Sequence, residues 1–135
     1  NVLVNSDVFA AGASYYGVAS LEGLALETHD FESRYLVSLI GPYPERKDLY
    51  IERAPITNAE NLISPLILFQ GLEDKIVPPE QSRAFRDVCV RKGIKHEYHE
   101  YPGEGHGFRK AENQIHCIEH ELNFYGEVIG FIPKL

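Results

Sequence analysis

The sequence predicts an α/β fold built on about three parallel strands with flanking helices. Three observations carry that reading. Pro65-Leu66-Ile67-Leu68-Phe69-Gln70-Gly71 is an apolar run ended by glycine, the pattern of a central strand covered on both faces. Short runs of this kind alternate with segments of helical periodicity, which favours parallel strands joined by crossover helices. The composition, 44% apolar and 24% charged over 135 residues, is that of one globular domain able to bury a core.

The elements follow in order. Phe9 to Tyr16 is small and apolar and reads as a short buried strand ended by Gly17. Ser20 caps a short helix carrying Leu21 and Leu24. Phe31, Tyr35, Leu36, Leu39 and Ile40 recur at helical spacing, and Gly41-Pro42 stops that helix. Residues 42–64 read as connection, punctuated by Pro42, Pro44 and Pro55. After the central strand a helix opens at Pro78-Pro79-Glu80, where the first turn tolerates proline and favours an acid. Phe85, Val88 and Cys89 form its buried face, and Arg91, Lys92 and Gly93 mark its end. Lys95 to Tyr101 is a more polar strand, and so belongs nearer an edge. In the last helix, Ala111 to Ile129, the spacing of Ala111, Ile115, Ile118, Leu122, Tyr125 and Ile129 predicts a single core stripe.

Charge and composition exclude several functions. Thirteen basic and 20 acidic residues leave a net charge of −7, so no basic face for nucleic acid is expected. The apolar runs are a few residues long, against about 20 for a membrane span. Asn1 to Asp7 do not read as a signal peptide, and with no methionine in the chain Asn1 reads as an artificial or processed start, so targeting is not judged from it. Cys89 and Cys117 are too few for a disulfide framework, so reduced thiols and a cytoplasmic location are expected.

Two loops can carry chemistry, and each follows a strand. Gly71-Leu72-Glu73-Asp74-Lys75-Ile76-Val77-Pro78 lies at the C-terminal end of the central strand, where ligands bind in open α/β sheets. Pro102-Gly103-Glu104-Gly105-His106-Gly107-Phe108 follows the next strand, and its three glycines allow close approach to another segment. If the strands are neighbours, Asp74 and His106 project from adjacent tips, and the acid can hold the imidazole in one tautomer.

Gly71-Leu-Glu-Asp74-Lys-Ile-Val-Pro-Pro79, followed by Gly103-Glu-Gly-His106-Gly-Phe-Arg-Lys110, resembles the C-terminal part of the prolyl oligopeptidase family of serine peptidases. The likeness is to its acylaminoacyl-peptidase and dipeptidyl-peptidase-like branch. Phe9-Ala-Ala-Gly-Ala-Ser-Tyr-Tyr-Gly17 and Arg53-Ala-Pro-Ile56 extend it over about residues 7–131. The resemblance implies the C-terminal portion of an α/β-hydrolase fold, with Asp74 the acid and His106 the general base of a Ser-Asp-His triad. Glu73 is a rival acid, but Asp74 holds the family's place relative to Pro78. The resemblance also implies a substrate-pocket wall of Tyr16 and Val18, with Tyr15, Leu21, Phe31 and Tyr35 nearby. It implies a peptide or acyl-peptide substrate, no cofactor, and a homo-oligomer. An esterase on the same scaffold, or a non-catalytic interaction module, is the alternative. The sequence departs from the family at Ile76, where many members carry an Arg or Asn that contacts substrate backbone.

The nucleophile is the larger departure. A hydrolase of this fold presents serine in a Gly-x-Ser-x-Gly turn, and this chain has none. Gly12-Ala-Ser14-Tyr-Tyr-Gly17 comes nearest, but Tyr16 stands where the turn needs a small residue. The serine is expected upstream of Asn1, and residues 1–135 alone are expected to be inactive.

His116-Cys-Ile-Glu119-His120 fits the H-x-x-E-H pattern of some zinc peptidases. Both histidines lie away from the stripe of Ile115, Ile118 and Leu122, so they are expected on the solvent side, with no metal. His96 and His99 point to opposite faces of their strand and are not expected to pair as ligands. His29 reads as a loop residue.

Overall fold

Strand β2, Leu66–Gly71, is buried along its whole length, and its alternation divides the core in two. Leu66 and Leu68 face one side, where they pack with Val4, Leu62 and Cys89. Ile67 and Phe69 face the other, with Tyr101, Cys117 and Phe124. A strand apolar on both faces needs a helix over each. The structure, a computed structural model that describes residues 1–27 and 33–134, supplies them. Helix α5, Pro79–Lys92, covers the first face, and α6, Ala111–Ile129, the second.

The elements before β2 are α1 (Val2–Asn5), β1 (Gly12–Tyr15), α2 (Leu21–Glu27), α3 (Ser33–Leu39), α4 (Lys47–Arg53) and a 3-10 segment, Pro55–Asn61. Strand β3, His96–Tyr101, follows α5. The described sheet has three strands in the order β1-β2-β3, all parallel, with Ser14 beside Leu68 and Leu68 beside Tyr98. The predicted α/β class, three-stranded count and edge position of β3 match. Helix α5 stops where the sequence places its end, at Gly93, whose φ of +65° suits glycine.

The structure differs from the sequence reading at three places. The first strand is Gly12–Tyr15, shorter than Phe9 to Tyr16, and it is half-buried because it lies at an edge of the described sheet. The connection 42–64 holds α4 and the 3-10 segment. Each is anchored by one or two buried side chains, Tyr50 in the first and Ala59 and Leu62 at the second, too few to show as a periodicity. The helix predicted from Phe31 is described from Ser33; Phe31 and His29 lie outside the described residues.

The third difference matters most. Most of the predicted stripe of α6 is exposed, with Ile118 at 63% and Ile129 at 63%, while Leu122 is half-buried and Tyr125 packs on the sheet side. The side against the sheet carries Cys117, Phe124 and Gly126, with His116, His120, Tyr125 and Val128 partly buried around them. The helix has two interleaved apolar stripes. The one with the aromatic ring and the small residues fits the pleated face of Ile67 and Phe69. His116 and His120 therefore lie on the sheet side, contrary to the solvent position expected of them.

Leu24, Leu36, Tyr50 and Val77 form a third apolar cluster, joining α2, α3 and α4 to the loop after β2. Cys89 and Cys117 are free thiols, and burial pushes the Cys89 thiol up to about 11. Among the described residues no helix is long and apolar enough to cross a membrane.

The face of α6 is testable on the 135-residue chain. Phe124 is wholly buried, so Phe124→Ala is expected to cost about 3–5 kcal/mol in denaturant unfolding. Ile118→Ala is expected to change stability by less than about 0.5 kcal/mol. Equal losses would restore the stripe read from the sequence.

Candidate active site

Parallel strands bring their C-terminal ends to one side, and three loops leave from there. The loop after β2 is folded by its own acid. Asp74 Oδ1 accepts hydrogen bonds from the backbone N–H groups of Ile76 and Val77, each at 2.9 Å. This is the local bonding that makes Asp a turn residue. Its other oxygen, Oδ2, accepts from His106 Nδ1 at 2.9 Å. The Asp74 side chain is wholly buried and the His106 side chain 35% exposed, so the carboxylate is enclosed while the imidazole reaches the surface. Glu73, the rival acid, is exposed, and its backbone N–H donates to Glu104 O.

A second buried polar group holds the same loop from below. Gln70 Nε2 donates to the carbonyls of Gly71 and Val77, and Ser82 Oγ donates to Gln70 Oε1 at 2.7 Å. Gln70 sits inside the apolar run of β2 and is wholly buried. Each polar end of its amide is thereby answered within the protein.

Glu104 organises the His106 loop. Its carboxylate accepts from the backbone N–H groups of Arg109 and Lys110 and from Asn113 Nδ2. Those bonds close the loop around His106 and satisfy N–H groups at the start of α6. The N–H of Arg109 first, then Asn113, holds the Glu104 carboxyl below the usual carboxylate range. The two loops run close together at Gly71. A Cβ there would stand 2.5 Å from both Glu104 O and Gly105 O, so only glycine fits.

Tyr16 follows β1, and its backbone has φ +42°, a conformation rare for a residue with a side chain. Its ring lies 4.7 Å from the His106 ring and 5.4 Å from that of Phe108. Val18 is placed differently, packing against the cluster of Leu24, Leu36, Tyr50 and Val77. Gln81 Oε1 accepts from the N–H groups of Ala19 and Ser20 and so fixes the start of α2. Ser14 lies within β1, paired in register with Leu68, and not at a strand-to-helix turn. Tyr35 is 62% exposed.

Sequence reasoning singled out Asp74, His106 and Tyr16 and missed Gln70, Gln81 and Glu104. The signal for Gln70 was present, as the lone polar residue in an apolar run. Glu104 and Gln81 were hidden among ordinary surface-type residues.

A second group of side chains comes together between β3 and α6. His99, His116 and His120 each offer a ligand atom, and these atoms lie within 4.8 Å of one another. His96 is outside the group, as the alternation of the strand requires. Burial, with His120 and His99 close by, lowers the pKa of His116.

The sequence pattern described as "Prolyl oligopeptidase family" matches residues 1–131. The chain belongs to the prolyl oligopeptidase family. Among relatives, the "Dipeptidyl peptidase family member 6" of Caenorhabditis elegans is 28% identical over 93% of this chain, which covers 21% of that protein. Among solved structures, a Mycobacterium tuberculosis puromycin-hydrolyzing peptidase superposes with a TM-score of 0.94 at 44% identity. That match covers 98% of this chain and 20% of the peptidase. A Pyrococcus horikoshii acylaminoacyl peptidase shares the fold, with a TM-score of 0.86 at 23% identity over 99% of this chain and 22% of its own. The chain thus spans about a fifth of the length of these family members. The sheet and its helices are a portion of the α/β-hydrolase fold of such peptidases.

The loop contacts generate a prediction. Glu104→Gln replaces an acceptor oxygen by an N–H2 facing backbone donors, so the loop should loosen. A depressed carboxyl pKa means that its stabilisation is present above the unfolded value, about 4.3, and is lost as pH falls through the folded value. Wild-type unfolding free energy should therefore drop on acidification below about pH 4.3, and Glu104→Gln should flatten that limb. Gly71→Ala is expected to destabilise by about 1–3 kcal/mol through overpacking. Denaturant titrations at a series of pH values measure both.

Proposed function

We propose that this chain supplies the general base, His106, and the acid, Asp74, of a serine peptidase. The nucleophilic serine comes from outside residues 1–135. The observation that supports this best is the 2.9 Å bond from His106 Nδ1 to Asp74 Oδ2, made by a carboxylate sealed from water and locked at its other oxygen by two backbone N–H groups. Such an acid orients the imidazole, leaves Nε2 as the base, and stabilises the imidazolium formed when the serine proton is taken. Attack on the substrate carbonyl then gives an acyl-enzyme that water hydrolyses. No cofactor enters the scheme.

The substrate class is a peptide or acyl-peptide. Puromycin, which the name of one 44%-identical neighbour says it hydrolyses, contains an aminoacyl amide of the same chemical kind. Tyr16 is the wall of the substrate pocket, since its strained backbone sets the ring against His106. Val18, two residues on, packs in the cluster of Leu24, Leu36, Tyr50 and Val77 and belongs to that wall by position in the chain. Where many family members carry Arg or Asn, Ile76 offers no side-chain hydrogen bond to substrate backbone.

The test uses the protein that carries residues 1–135 together with its upstream serine. Asp74→Asn is expected to lower kcat on an aminoacyl arylamide by on the order of 10⁴-fold, and His106→Ala by a comparable factor. Ser14→Ala should leave kcat unchanged, and residues 1–135 alone should show no turnover of ester or amide. Activity that survives His106→Ala, or that Ser14→Ala removes, would overturn the assignment.

A further inference from the structure

Three histidines converge on the side of the sheet covered by α6, and the peptidase scheme makes no use of them. His116 and His120 are four residues apart and share a helix face, their rings stacked at 4.0 Å. His99 comes from β3, its ring 4.4 Å from that of His120 and 5.0 Å from that of His116. We propose that His99, His116 and His120 form a binding site for a divalent ion of the zinc type.

Four features of the site argue for this. The ligand atoms already lie within 4.8 Å of one another. Tetrahedral zinc with nitrogen ligands needs a spacing of about 3.4 Å, a contraction within reach of side-chain rotation. The ligands stand on a strand and a helix packed on the same core, so their backbones are fixed in advance. Each ring also has one nitrogen held by an oxygen of this chain. Glu97 Oε2 lies 2.8 Å from His99 Nε2 and 3.1 Å from His120 Nδ1, and the Tyr101 hydroxyl lies 2.9 Å from His116 Nδ1. This is how outer oxygens orient ligating imidazoles and fix their tautomers. Finally, the His99 and His120 side chains are 20% and 39% exposed, so an ion can enter from solvent.

The donor set selects the ion. Imidazoles suit zinc, nickel and copper, whereas magnesium and calcium require oxygen. Three protein ligands leave one tetrahedral position for water. The site's place in the fold gives its consequence. Strand β3 leads into the loop that carries His106, and α6 leads out of it. An ion held by both pins the two ends of that loop. Tyr101, which orients His116, also meets Phe108 of the loop at 4.8 Å.

The experiment is a calorimetric titration of Zn²⁺ into the chelator-treated protein carrying residues 1–135, with melting temperature read alongside. Zinc should bind and raise the melting temperature, and Mg²⁺ should do neither. Glu97→Gln should weaken zinc binding by about 10–100-fold, and His120→Ala by at least as much. His96→Ala, on the other face of β3, should leave it unchanged. Substitution with Co²⁺ should give visible bands of a tetrahedral nitrogen site, a readout that does not depend on stability. Because His120 is partly exposed, its replacement leaves the core intact and is the deciding variant. Absence of zinc binding by the wild type, or zinc binding unchanged by His120→Ala, would overturn the site. Neither result bears on the roles of Asp74 and His106.

Discussion

A carboxylate shut away from water has to be satisfied on every side, and the geometry of this molecule is organised around meeting that demand at Asp74. Two backbone N–H groups of its own loop take one oxygen, and the imidazole of a different loop takes the other. For both to reach it, the loops after β2 and β3 must run side by side. That is possible because the strands are adjacent and parallel and because Gly71 has no side chain to hold the loops apart. The hydrogen bond between Asp74 and His106 follows from strand order, and strand order follows from an apolar β2 that needs a neighbour on each edge.

The same reasoning extends to the surroundings. Buried polar side chains gather at the C-terminal side of the sheet, each serving a different loop: Gln81 the start of α2, Gln70 the Asp74 loop, Glu104 the His106 loop. Loop backbone at the end of a buried sheet has N–H and C=O groups that no strand partner can satisfy. These amides and the carboxylate take the place of the missing partners. Tyr16, whose backbone is strained, is held on one side by a hydrogen bond to Phe69 O and on the other by the rings of His106 and Phe108.

What could be read from the sequence, and what could not, divides along physical lines. The central strand was legible because six consecutive buried positions leave no alternative to a two-faced strand. The end of α5 was legible because glycine after two basic residues is a local signal. Asp74 and His106 were legible as a pair because each follows a strand and stands in a motif. The face of α6 was misread because periodicity locates stripes without saying which one meets the sheet. The stripe with more β-branched residues stayed in solvent, and the stripe carrying histidines packed inward. That error also hid the cluster of His99, His116 and His120, whose members lie far apart in sequence and depend on the helix's rotation. Helix α4 and the 3-10 segment were invisible for a simpler reason: a two-turn element held by one or two buried side chains has no period to detect.

The strands that position Asp74 and His106 are unequal partners. Every residue of β2 is buried, whereas β3 is largely half-buried at an edge of the described sheet. Segments with less burial open locally at a lower free energy than the whole molecule unfolds. Asp74 is therefore carried by the more deeply buried strand, and His106 by the strand expected to open at the lower free energy. Local opening of the edge strand is expected to undock the imidazole while leaving the carboxylate in place. The occupancy of that docked state is set by how firmly the edge strand and its loop are closed.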